Sequence, residues 1–334
     1  MIKYYAYYYP SWHYDEKRCA NFSSEWEIVE SAKGGFNNHV QPRKPVLGYL
    51  NLSNIKDISL QIRVARYYGI SGFLINFYWD NGSIILDKPL YNIMDVINQY
   101  DDFEFGIMWV NRRPHNKLPI SINDSSKDNE EPTFKDRIVY TSKSDLQQLI
   151  EFCSKNIFTH KNYLKIRGKP YFSIFSVNEV IRDLGDETTT VLNGIKYIPK
   201  SYGLSELFLT GIAHGIENWI HMATHYHFDK LTSYVLLPDW MGAFKQYYLE
   251  RVNKCAKIWD IINKSSGGIY FPSITVGWDS TPRGYEVANG LIKKYPWYPV
   301  ITDDCPTSFA IAIEEAIKFC RKNLEEPHLI HSPA

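Results

Sequence analysis

Eight short apolar runs are spaced along the chain, most of them separated by a loop and a helical segment, and this repetition limits the fold more than any single motif. The predicted strands are Ile2–Tyr9, Gly72–Tyr78, Phe105–Val110, Pro170–Phe175, Leu207–Ile212, Phe228–Val235, Tyr270–Val276 and His328–His331. Between them, apolar residues recur at helical spacing in the segment after Ser53 up to Tyr68, then in Pro89–Gln99, Ser142–Lys155, Thr188–Tyr202, Lys245–Ile262 and Pro306–Lys322. Asn51–Leu52–Ser53 offers an N-cap and Gly69 a C-cap to the first of these helices. Gly72–Tyr78 is apolar almost throughout, as a strand covered on both faces must be. Eight strands with helical crossovers predict an α/β fold, a (β/α)8 barrel of the TIM type, with residues 1–334 as a single domain.

In such a barrel the functional site lies on the loops that follow the strands. The residues at those strand ends are Tyr8, Tyr9 and His13; Tyr78 and Trp79; Trp109, Asn111 and Arg112; Ser176; Tyr234; and Trp278 with Asp279. Aromatics make up 15% of the chain, and their concentration at these ends suits a sugar: a ring covers the C–H face of a pyranose while its polar edge reaches a hydroxyl. The long loop after the first strand adds Glu25, Trp26, His39, Gln41 and Arg43. Glu25 taken alone reads first as a helix-start residue stabilised by the helix dipole, with a sugar-hydroxyl acceptor or one of a carboxylate pair as the alternative. Asp279 and Arg283 belong to Gly277–Arg283, directly after the seventh strand; a capped turn in which the two pair is one reading, but the place in the barrel favours ligand binding. Glu25 and Asp279 are the catalytic candidates. Asn111 reads as a hydrogen-bonder to sugar, whereas the adjacent Arg112 and Arg113 read as a solvated face.

Lys and Arg together number 37, as do Asp and Glu, so the formal charge is zero and no basic stripe suggests a nucleic-acid partner. No apolar stretch reaches the roughly 18 residues of a membrane span. The start, MIKYYAYYYP, reads as a strand rather than a secretory leader, and the scattered Cys19, Cys153, Cys255, Cys305 and Cys320 read as reduced thiols; both favour a cytoplasmic protein. His221 and His225 are spaced four apart and His227 is close by, but no third-ligand pattern accompanies them, so a hydrogen-bonded set at a helix end is the first reading and a metal-dependent hydrolase an alternative. Neither a metal nor an organic cofactor is expected.

The segments YYYPSWH, SEW, HVQPR, LGYLNL, YGISGFLINFYW with DKPL, MWVN, YLKIRGKPYFSIF, LTSYV and ITVGWDSTPR follow one another in the order found in glycoside hydrolase family 99-like proteins, also called WbsX-type, and the chain resembles that family over nearly its whole length. The resemblance implies a (β/α)8 barrel in bacterial polysaccharide synthesis or breakdown, akin to retaining endo-acting α-mannosidases that use two glutamates. Trp109 and Asn111 match the Trp and Asn that follow the third strand in the family, whereas Arg112 departs from it. The family's glutamates sit in a Trp-Asn-Glu-Trp-like segment at the eighth strand, where this sequence reads HLIHSPA. The expectation is a chain cut after strand eight, impaired in glycosidase or transferase chemistry, with a non-catalytic glycan-binding barrel as the alternative.

Overall fold

A computed structural model describes residues 2–124, 137–212, 225–323 and 328–332. Among these, eight parallel strands form one curled sheet: β1 (Lys3–Tyr8), β2 (Gly72–Asp80), β4 (Glu104–Trp109), β6 (Lys169–Ile174), β7 (Phe208–Ile212), β8 (Lys230–Thr232), β10 (Ser273–Thr275) and β12 (His328–Ser332). Their order is β10-β12-β1-β2-β4-β6-β7-β8, with every neighbouring pair parallel. The two ends meet through a single parallel bridge, Leu231 to Tyr270, in which Leu231 N donates to Ile269 O and Phe271 N to Leu231 O, each at 2.8 Å. All eight predicted strands are present in the predicted sequence order, and the sheet curls into the expected barrel.

Small hairpin partners β3 (Ser83–Ile85) and β5 (Lys165–Ile166) extend β2 and β6. The helices are α1 (Glu25–Glu30), α2 (Ile55–Tyr67), α3 (Lys88–Ile97), α4 (Lys143–Asn156), α5 (Val177–Leu184), α6 (Thr188–Tyr197), α7 (Tyr248–Ser265) and α8 (Pro306–Asn323). Asn54 caps α2 and Ser142 caps α4 by accepting from first-turn amides. No helix among the described residues is long and apolar enough to cross a membrane.

Period-two alternation divides the strand residues between two cores. Phe73, Ile75, Phe77 and Trp79 of β2, with Phe105, Ile107 and Trp109 of β4, face outward into a layer shared with α2, α3 and α4. Leu74 and Tyr78, with Tyr5, Tyr7, Met108 and Tyr171, face inward and fill the barrel. Gly106 is on the inward set for a steric reason: a Cβ there would lie 3.0 Å from Leu74 Cδ2 and 3.1 Å from Tyr171 Cδ1. Leu74 and Tyr171 on the two neighbouring strands occupy the volume that a side chain at 106 would need.

Some predicted boundaries moved. The strand predicted over Phe228–Val235 is reduced to β8, and that over Tyr270–Val276 to β10, because at the closing seam only these residues find a ladder partner. The helix predicted over Lys245–Ile262 starts later: Lys245–Tyr247 is a strand, β9, paired with β11 (Val300–Thr302) in a separate two-stranded parallel sheet. The helix predicted to run to Tyr202 ends as α6 at Tyr197 and continues as a tighter turn around Pro199, which has no N–H to donate.

Candidate functional site

A cleft of about 560 Å³ opens where β1, β2, β4, β6, β8 and β10 end. Its floor comes from the inward-facing register: Tyr7, Tyr9, Asn76, Tyr78 and Tyr234. Trp12 and Trp278 form parts of the wall, and Trp240 meets Trp278 edge to face at 5.4 Å. Trp12 is braced from behind by Trp26, stacked at 3.9 Å between ring centroids, and Trp26 is fixed by its indole N–H donating to Leu50 O at 2.8 Å.

Among the described residues that line the cleft, the carboxylates are Glu25 and Asp279. Ser24 caps α1, so Glu25 occupies the first helical position with its carboxylate turned into the barrel mouth. There Oε1 accepts from Tyr9 OH (2.5 Å), Ser11 Oγ (2.7 Å) and Arg18 Nη2 (2.8 Å), and Oε2 accepts from Arg283 Nη2 (2.9 Å). Burial by itself would raise the Glu25 pKa, but the guanidinium groups of Arg283 and Arg18 outweigh it and hold the carboxyl well below its usual range. Arg18 is buried too, and its remaining donors go to His115 O and Ser11 Oγ.

Asp279 follows the same pattern, with His39, Gln41 and Thr281 as its donors. Oδ2 accepts from His39 Nε2 (2.9 Å) and Gln41 Nε2 (2.6 Å), and Oδ1 from Thr281 N (3.1 Å) and Thr281 Oγ1 (2.6 Å). Gly35 N–H donates to His39 Nδ1 at 2.9 Å, so Nδ1 is the acceptor nitrogen and Nε2 carries the proton given to Asp279. Burial pushes the Asp279 pKa up, yet the hydrogen bonds from His39 and Thr281 more than offset it and the net shift is downward. Beside it the backbone at Gly277 passes so close to Asp304 that a Cβ would lie 2.3 Å from Oδ2, and Arg43 closes over Asp304 with Nη1–Oδ2 at 2.6 Å. The far wall carries Arg112, bonded through Nε to Glu179 at 2.8 Å, and His115, whose ring lies parallel to Tyr295 at 6.2 Å.

The structure thus brings Tyr8, Tyr9, Glu25, Tyr78, Tyr234, Trp278, Asp279 and Arg283 to one cleft. His39 and Gln41 sit behind Asp279, Trp26 behind Trp12, and Arg43 on Asp304, so these four act through a neighbour. Asp279 and Arg283 do not pair with each other as the turn reading supposed; each has other partners.

Four candidates are placed elsewhere. Trp79 and Trp109 fall on the outward parity of β2 and β4: Trp79 Nε1 donates to Asp145 Oδ1 at 2.8 Å and Trp109 Nε1 to Trp79 O at 3.3 Å, both deep in the helix layer. His13 is buried outside the cleft lining, where desolvation holds its pKa below the ordinary histidine value. Asn111 is fully buried and ties two loops, its Nδ2 donating to Ser176 O and its Oδ1 accepting from Ser176 N, each at 2.9 Å. Asn111→Ala would strand both backbone groups, so we expect a loss of about 2–3 kcal/mol in denaturant unfolding, with ligand affinity of the folded fraction unchanged.

Gln61, Asn76, His115 and Tyr295 line the cleft without having been predicted. The alternation that selects Tyr78 also selects Asn76, two residues earlier, so that position was within reach. Gln61 projects from α2 to accept from Tyr8 OH at 2.5 Å, and Tyr295 comes from a long irregular loop; neither carries a sequence signal. Of the histidine trio, His221 lies outside the described residues, and no group of metal-holding side chains occurs among those described.

Comparison with known proteins agrees with this architecture. The endo-alpha-mannosidase of family GH99 from Bacteroides thetaiotaomicron superposes with a TM-score of 0.57, covering 99% of this chain and 84% of that one at 12% identity. A glycoside hydrolase-like protein matches at the same TM-score, with 15% identity and coverage of 99% and 83%. At such identities the likeness is one of fold. A protein named WxcX from Xanthomonas campestris pv. campestris is 35% identical over 68 residues, which span 20% of this chain and only 10% of that relative's length. The model of the family described as glycosyltransferase WbsX matches residues 4–330, so that all eight barrel strands fall within or at the edge of the match, and the chain belongs to the WbsX family of carbohydrate-active proteins.

Proposed function

We propose that the cleft binds an oligosaccharide stretch of a bacterial polysaccharide and that the chain serves the building or processing of that polymer. Two residues of the cleft lining, Asn76 and Trp278, carry this reading: Asn76 Oδ1 and Trp278 Nε1 are buried and have no hydrogen-bond partner among the described residues. A buried polar group left unpaired costs about 1–3 kcal/mol. Sugar hydroxyls both donate and accept, so one ligand class answers an indole donor and an amide acceptor once it displaces the groups that cover them. Trp12, Trp240 and Trp278 add the flat faces on which pyranose rings stack.

Glu25 and Asp279 hold the wall rather than cut the sugar. Glycoside cleavage needs a carboxylic acid that can give up a proton beside a second carboxylate. Both groups are held in the ionised form, and each already accepts four hydrogen bonds. We place the protein in the cytoplasm, a reading supported by its five free thiols.

The test is direct titration with oligosaccharides, followed by calorimetry or tryptophan fluorescence. Because the GH99 enzyme of like fold is named as an endo-alpha-mannosidase, α-linked manno-oligosaccharides are the first probe, followed by a panel of other bacterial-type oligosaccharides. Trp278→Ala is expected to weaken binding by roughly tenfold or more. Binding left intact in that variant, or absent across the whole panel, would overturn the reading.

A further inference from the structure

Two guanidinium groups share one carboxylate on the cleft wall. Glu25 accepts from Arg18 at 2.8 Å and from Arg283 at 2.9 Å. The Glu25 and Arg18 side chains are each 3% exposed, whereas Arg283 is 28% exposed and borders the cleft. The trio therefore carries one positive charge more than it neutralises, in a place where water does little to screen it.

No other protein carboxylate takes up that excess among the described residues. Asp279, the second carboxylate of the lining, is filled by His39, Gln41 and Thr281. The Arg283 guanidinium is also held in a fixed pose: Nη2 on Glu25, Nη1 donating to Tyr295 OH at 2.9 Å, and its carbon 5.7 Å from the centre of the Tyr9 ring. Its Nε–H has no acceptor among the described residues. A planar donor that is fixed in position, incompletely neutralised and bordering a saccharide cleft is suited to an anionic oxygen.

We infer that the saccharide bound in this cleft carries an anionic substituent, a carboxylate or a phosphate, which docks against Arg283. The inference rests on the saccharide-binding reading above and narrows it to acidic glycans. Both substituents present oxygen acceptors to a guanidinium and differ in charge and shape, so experiment must tell them apart.

Three oligosaccharides of one backbone would be compared on the whole 334-residue chain: the neutral form, one bearing a uronate, and one bearing a phosphate monoester. One charged form is expected to bind on the order of tenfold more tightly than the neutral form, the advantage shrinking as salt is raised. Arg283→Met leaves Glu25 paired with Arg18, a balanced buried pair, and should fold; its melting temperature checks this. In that variant the charged form should fall to parity with the neutral one. Which charged arm gains identifies the substituent. Equal binding of all three by the native protein, or an advantage that survives Arg283→Met, overturns the anionic inference and leaves saccharide binding standing. Silence from all three overturns both.

Discussion

Glu25→Ala is expected to destabilise the fold by about 3–5 kcal/mol, the usual result of removing one partner from a buried ion pair. Arg18 would be left buried with no counter-charge, and Arg283 would lose the group that fixes its orientation. Urea unfolding at neutral pH measures the loss, and a variant as stable as the native chain would show that the trio is not the anchor of the first loop. The pH dependence has a definite sign. The folded pKa of Glu25 lies below that of the unfolded chain, where a glutamate titrates near about 4.3. Its contribution is therefore complete above that value and is lost as the pH falls through it toward the folded pKa. The stability gap between the native chain and Glu25→Gln should be flat from about pH 6 to 8 and narrow in acid.

Trp109→Ala should cost a similar amount, about 3–5 kcal/mol, for a different reason. Trp109 is completely buried in the layer between β4 and the helices, so truncation opens a cavity that the packed Phe105, Ile107 and Ile174 can only partly close. It also removes the indole donor to Trp79 O. Its place at a strand end suggested a sugar platform, and the two roles separate cleanly in experiment. The core role predicts a large drop in unfolding free energy with unchanged affinity in the protein that remains folded. A stable variant with weakened saccharide binding would restore the platform reading.

The barrel was legible in the sequence because its strands are apolar on both faces and its helices carry caps and periodic stripes. Gly72–Tyr78 needed no context to be read as a buried strand, and β2 occupies those residues and two more. The seam strands were over-read, since the apolar runs around Lys230 and Ser273 continue beyond the few residues that find ladder partners. For the site, proximity to a strand end proved too coarse a guide. Tyr78 and Trp79 are adjacent, yet one faces the cleft and the other the helices, and only the two-residue alternation tells them apart. Partners distant in sequence could not be read at all: Glu25 meets Arg283 across 258 positions and His39 meets Asp279 across 240.

The barrel closes between β8 and β10 through one bridge, against the six-residue register that joins β2 to β4. Tyr234 and Trp278 stand just beyond those two strands, one on either side of the join. A ligand lying across both residues would span the join that has the fewest ladder pairs among the described strands. Saccharide binding is therefore expected to slow hydrogen exchange at the Leu231 and Phe271 amides that join the two ends, and unchanged exchange would show that the ligand does not span the seam.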